Sequence, residues 1–224
     1  MVTLAIKVLL APIFIAFAYF IQKKYGPKIG GKFVAIPFIA MPILLVIYFE
    51  HGTEFLHRAI LGSYTGQIAV FIYVYVYSHL ARTRTWIFCF TASSLSFLIA
   101  APILSFVVPN LSLAVASWFI AWCVLQRTAV PFDELAQLPR SPKWDLPMRI
   151  ISALALIFLV TGTSAILGPE LSGAIAMYPV MTSIMSSFNH ARFDANSAIA
   201  FLNGLGRYMV FVGLIFLPFL LIVT

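Results

Sequence analysis

Gly26-Pro27-Lys28-Ile29-Gly30-Gly31-Lys32-Phe33-Val34-Ala35-Ile36-Pro37 returns 142 residues later as Gly168-Pro169-Glu170-Leu171-Ser172-Gly173-Ala174-Ile175-Ala176-Met177-Tyr178-Pro179. The identical positions are Gly26 and Gly168, Pro27 and Pro169, Gly31 and Gly173, Pro37 and Pro179. All are glycine or proline, the two residues that set backbone shape. Proline fixes φ and removes a donor, and glycine admits conformations and close approaches that a Cβ forbids. What repeats is therefore geometry. Each copy predicts a tight turn, a small-residue helix start, and a helix broken or kinked at its proline. The same offset pairs Gly62 with Gly204, which extends the duplication.

Composition explains why both copies lie between long apolar runs. With 62% hydrophobic residues, 9% charged and a mean hydropathy of +1.02, the chain has too little polar surface to cover a soluble core. The runs suit helices crossing a hydrocarbon core about 30 Å thick, not the short alternating strands of a barrel. The net charge of +7 does not point to nucleic acid, because the basic residues lie in short loops, where they set topology. Cys89 and Cys123 fall inside apolar runs with no Cys-x-x-Cys or histidine partner, so neither a disulfide framework nor a zinc site is expected.

Eight spans follow: 2–21, 29–49 with Pro37 and Pro42, 55–80, 86–108, 111–126, 148–167, 171–188 and 195–223. Lys23 and Lys24 follow the first run, and no basic residues precede it, so it reads as a retained span and not a signal peptide. Between the fifth and sixth lies a polar connector, 127–147, whose Pro131, Pro139, Pro142 and Pro147 are too closely spaced for a long helix. The domain reading is one membrane unit: repeat 1 (1–80), a central helical hairpin (81–126), the connector (127–147) and repeat 2 (148–224).

Charge tests the number of spans. Lys23, Lys24, Lys28, Lys32, Arg82, Arg84, Arg127, Arg140, Lys143, Arg149 and Arg192, eleven of the fourteen basic residues, fall on one side. Lys7 and Arg58 fall on the other, and Arg207 is left within a span. The tendency of basic loops to stay inside makes the eleven cytoplasmic and both termini periplasmic or extracellular. Spans one to three and six to eight are then five spans apart, an odd number, so the second copy inserts upside down. Inverted repeats with discontinuous helices are a build used by secondary transporters.

Polar residues inside the spans supply the candidate site. Thr182, Ser183, Ser186, Ser187 and His190 follow Pro179 at offsets of 3, 4, 7, 8 and 11, one face of a helix. Asn196, Asn203 and Arg207 share a face of the eighth span. An arginine within a span costs about 2.5–3.5 kcal/mol even on the lenient insertion scale. An anionic ligand, water, or carbonyls loosened at Gly204 and Gly206 would offset that cost. Lys7 reads as a cation reaching back to the interface. Glu54 and Arg58, four apart, read as an ordinary pair and not, with Glu50, His51 and His57, as a metal site. Tyr73, Tyr77 and His79 read as an interfacial aromatic belt, and Ser93, Ser94 and Ser96 as packing groups. No hydrolase, zinc-protease or phosphate-loop motif appears, and no carboxylate lies well inside a span, so an enzyme is not expected.

The sequence thus predicts an all-α polytopic membrane protein with eight transmembrane helices, two inverted three-helix repeats flanking a two-helix insert. It would reside in a bacterial-type inner membrane and act as a permease for a small anionic or zwitterionic solute. The substrate would be bound by Arg207, Asn203, Thr182, Ser183, Ser186, Ser187 and His190, with Gly26, Pro27, Gly31, Pro37, Gly168, Pro169, Gly173 and Pro179 shaping the breaks. A lipid-headgroup translocase, or a channel or accessory subunit, is the alternative. No cofactor, metal or nucleic acid is expected, the bilayer is the expected partner, and a homo-oligomer is compatible with the sequence. Reporter fusions at Thr224 should report the outer side and fusions at Lys143 the cytoplasm. A cytoplasmic Thr224 would overturn both the eight spans and the inversion.

Overall fold

The computed structural model describes residues 2–38, 40–133, 141–166 and 178–219. Gly168, Pro169 and Gly173 lie outside them. The described residues are all-helical, with no strand. The helices are α1 (Val2–Tyr25), α2 (Pro27–Ala35), α3 (Ala40–Leu80), α4 (Trp86–Val107), α5 (Leu111–Arg127), α6 (Asp145–Ile166), α7 (Val180–Arg192) and α8 (Ala195–Phe211). A π-helical turn, Val212–Phe216, continues α8. Among the described residues, four helical stretches are long and apolar enough to cross a membrane: Val8–Tyr25, Tyr48–Leu80, Trp86–Val107 and Ala195–Phe219.

The first Gly-Pro motif has the predicted shape. Gly26 sits at φ 88°, ψ 162°, which a side chain would oppose, and Pro27 opens α2 where its missing N–H costs nothing. The helix stops after nine residues, and Ile36 turns extended ahead of Pro37. In the second copy, Pro179 precedes the first residue of α7. A later pair of positions at the 142-residue offset also interrupts helix. Gly52, at φ 77°, breaks α3 into arms 40–51 and 53–80, and Asp194 separates α7 from α8. Asp194 caps α8 by accepting the Ser197 amide at 2.6 Å.

The long arm of α3 forms the middle of the packing, with α4, α5 and α8 against it, while α2 is wedged along α8. The aromatic belt expected at Tyr73 and Tyr77 is not there. Both side chains are fully buried, and only His79 stays exposed, its ring against Tyr75. Period 3.6 explains the difference: Tyr73 and Tyr77 share a buried face with Val70, whereas Tyr75 and His79 point away from it.

Two glycines permit the α2–α8 wedge. A Cβ on Gly31 would overlap the Phe201 carbonyl oxygen and stand 2.8 Å from the Leu205 nitrogen. A Cβ on Gly204 would overlap the Lys28 carbonyl oxygen and stand 2.9 Å from its carbon. The obstacles are backbone, which cannot rotate aside. Each of Gly31→Ala and Gly204→Ala should therefore lose at least about 1–3 kcal/mol, the usual cost of overpacking, despite alanine's better helix propensity. Thermal unfolding of the purified protein, followed by tryptophan fluorescence, measures this. Unchanged midpoints would show that the helices are not in backbone contact.

Candidate anion-binding cavity

Lys28 and Lys32 are one helical turn apart on α2, and α8 presents Asn203 and Arg207 with the same spacing. The glycine crossing sets these two faces side by side. Between them lies a cavity of about 260 Å³, lined by Lys28, Lys32, Gln126, Asn203 and Arg207 and walled by apolar Val74, Leu125, Leu202 and Phe132. No aspartate or glutamate is among its described lining residues. Lys28 Nζ stands 5.4 Å from the centre of the Phe132 ring, an aromatic wall of the cavity, and Lys32 Nζ 4.6 Å from that of Tyr208, the residue after Arg207, both within cation–π range.

The start of the connector closes one side. Asn203 Nδ2 donates to the Val130 carbonyl at 2.7 Å. Asn196 exchanges two hydrogen bonds with the Asp133 backbone, at 2.9 and 3.0 Å. Arg82 donates to the Pro131 carbonyl at 2.5 Å. These four bonds seat residues 129–132 on the cavity, so Asn203 positions its wall. Gly206 also lines it, but its carbonyl already accepts from Trp122 Nε1 at 3.1 Å.

Arg207 lies within the helical stretch Ala195–Phe219, as expected, but its side chain is exposed at this cavity and not buried. The buried arginine is Arg149, which the sequence reading counted as a loop charge. Its side chain is fully enclosed, as are those of Asp145, Gln22 and Asn189. Arg149 Nε and Nη2 donate to the two Asp145 oxygens at 3.3 and 3.4 Å, and Nη1 donates to Asn189 Oδ1 at 3.2 Å. Asn189 and Gln22 exchange a reciprocal amide pair at 3.0 and 3.1 Å. The Tyr19 and Phe188 rings flank the guanidinium at 5.5 and 5.0 Å. This network ties α1 to α6 and α7, and all its donors and acceptors point inward.

The α7 residues do not join Arg207. Thr182 lines a second cavity of about 230 Å³, mostly apolar, which Pro37 and Pro179 both border together with Ser63 and Gln67. The other four line neither cavity. Ser183 and Ser186 donate to carbonyls of their own helix, at 2.9 Å to Val180 and 2.7 Å to Thr182. Ser187 is buried, and His190 meets the Tyr77 hydroxyl at 3.4 Å. Their common face packs on the tyrosines of α3, so periodicity located the face without locating its role. Conversely, Lys28 and Lys32, which the sequence reading placed only among the loop charges, line the cavity. Their spacing within a small-residue helix, inside the repeated motif itself, was the available signal.

Elsewhere the expectations meet ordinary packing. Glu54 pairs with Arg58 at 2.6 Å, both exposed. Ser94 shares a hydrogen bond of 2.6 Å with Tyr178, and Ser96 donates to Ser93. Cys89 and Cys123 are free thiols.

The chain matches no family model, and neither a curated protein nor a solved structure is similar to it.

Removing one partner of a buried ion pair costs about 3–5 kcal/mol, because the other charge is left unpaired, whereas apolar replacement of both can be nearly neutral. Arg149→Met should therefore destabilise strongly, and Asp145→Leu combined with Arg149→Met should recover most of the loss. Chemical unfolding of the three proteins provides the comparison. An Arg149→Met protein as stable as wild type would mean the two charges are not enclosed together.

Proposed function

We propose that this chain is a multi-pass membrane permease for a small anionic solute, with eight spans and two inverted-topology repeats, 1–80 and 148–224. The observation that carries this reading is the convergence of Lys28 and Lys32 from the first half and Arg207 from the second on one cavity without an acid among its described lining residues. Cations focused in a concave, partly apolar site raise the local concentration of anions and favour their binding. Three further features support it. Helix is absent at corresponding positions of the two halves: Pro37 lies between α2 and α3, Pro179 directly precedes α7, and helix breaks again at Gly52 and Asp194. Both prolines border the second cavity. Residues of α2 and α8 line both cavities, so rocking of one half against the other about their crossing would open them in turn. In this arrangement the lysine-rich end of α1 and α2 faces the cytoplasm, as the charge distribution requires.

The exposure of Arg207 favours a second reading, a translocase that takes an anionic lipid headgroup from the bilayer side.

Arginine's planar fork distinguishes ligand binding from simple interfacial anchoring. In thermal-shift measurements on purified protein against small mono- and dianions, at least one anion should stabilise the wild type. Arg207→Ala should abolish that shift, and Arg207→Lys should lose much of it. Asn203→Ala should weaken it more mildly, since a neutral hydrogen bond contributes about 0.5–1.5 kcal/mol. An anion that stabilises Arg207→Ala as well as wild type would displace the site from this cavity.

A further inference from the structure

We infer that the cavity between α2 and α8 receives the phosphate group of a phosphate monoester. This deepens the anion-permease reading and rests on it.

Charge is the first consideration. Lys32 and Arg207 alone bring two positive charges to the lining, and Lys28 stands one turn from Lys32. Cations gathered against an apolar wall repel one another, and a monocarboxylate would neutralise only one of them. A phosphate monoester carries between about 1.5 and 2 negative charges near neutral pH, close to what Lys32 and Arg207 supply.

Donor geometry is the second. A guanidinium offers a planar fork and an ammonium a point charge, the pair of groups that proteins use on phosphate. Here they approach from different helices, Arg207 from α8 and Lys32 from α2, with the Gln126 amide from α5. Donors on three separate elements suit a tetrahedral group with three acceptor oxygens better than the two coplanar oxygens of a carboxylate. Size and lining are the third. The cavity, about 260 Å³, falls just below the ~300 Å³ at which small-molecule sites begin. Val74, Leu125, Leu202 and Phe132 offer apolar contact that an inorganic ion could not use. An organic remainder esterified to the phosphate would meet that wall.

The remainder could come from a soluble metabolite or from a lipid, and the ligand chemistry at the cations is the same. The full-length protein in neutral detergent is titrated calorimetrically with ethyl phosphate, inorganic phosphate, sulfate, malonate, acetate and dihexanoyl phosphatidate. Ethyl phosphate should bind at least about ten-fold more tightly than malonate or acetate, and Lys32→Gln and Arg207→Gln should each weaken it about ten-fold. Lys24→Gln, exposed and outside the cavity lining, should leave it unchanged. Ligand-free unfolding midpoints of the variants, expected to equal that of wild type, separate lost binding from lost folding. Phosphatidate binding more tightly than ethyl phosphate would assign the group to a lipid, and the reverse order to a soluble ester. Either order upholds the phosphate. Malonate or acetate binding as tightly as ethyl phosphate would overturn the phosphate assignment and leave the anion site standing. Sulfate or inorganic phosphate binding while ethyl phosphate does not would overturn the ester. No binding by any anion would overturn this inference and the permease site together.

Discussion

The contact of Gly31 with the Phe201 carbonyl, and of Gly204 with that of Lys28, sets the distance between α2 and α8. Everything proposed for this protein depends on that distance. Small residues at a crossing let two backbones meet, and in an apolar surrounding such packing is a principal source of helix association. Here it also has a chemical consequence. With α2 only nine residues long and held flat against α8, Lys28 and Lys32 are carried to the same cavity as Arg207. A bulkier residue at either glycine would push the two cationic faces apart. Gly26 and Pro27 serve the same end, by starting α2 abruptly after α1 so that the short helix can double back along its neighbour.

A second constraint acts at one end of the bundle. Gln22, Asp145, Arg149 and Asn189 are enclosed together, and burying four such groups is tolerable because each is satisfied by another. Buried ion pairs add little net stability but penalise every arrangement in which a partner is missing. The network therefore specifies how α1 sits against α6 and α7 more than it strengthens the contact. Small residues set the approach of α2 and α8, and polar pairing sets the register of the helices around them.

Much of the architecture was legible in the sequence because its markers are backbone-shaping residues. Gly26, Pro27 and Pro37 each interrupt helix where the sequence placed an interruption, since φ restrictions act locally. The all-helical class and the presence of helices able to cross a membrane were legible from hydropathy. Side-chain roles were not. Periodicity put Ser183, Ser186 and Ser187 on one face, but a hydroxyl can turn to its own helix carbonyl as readily as to a ligand, and Ser183 and Ser186 do so. Arg149 is enclosed and Arg207 is exposed, the reverse of the burial expected for each. Depth along a span was judged from chain position, whereas enclosure depends on which neighbours surround the helix. Arg149 has Asp145 one turn before it, a signal present in the sequence and counted only as a loop charge.

The central claim is that the α2–α8 crossing builds a cavity whose potential attracts anions, and the rate of a charged reagent inside the cavity measures that potential. With Cys89 and Cys123 replaced by serine, Ala129→Cys places a single thiol in the cavity lining. Anionic and cationic methanethiosulfonates of similar size are then compared on the purified protein at low ionic strength. The account predicts that the anionic reagent reacts several-fold faster, and that the preference falls when Lys32→Gln and Arg207→Gln are added or when salt is raised. Equal rates, or faster reaction of the cationic reagent, would contradict it.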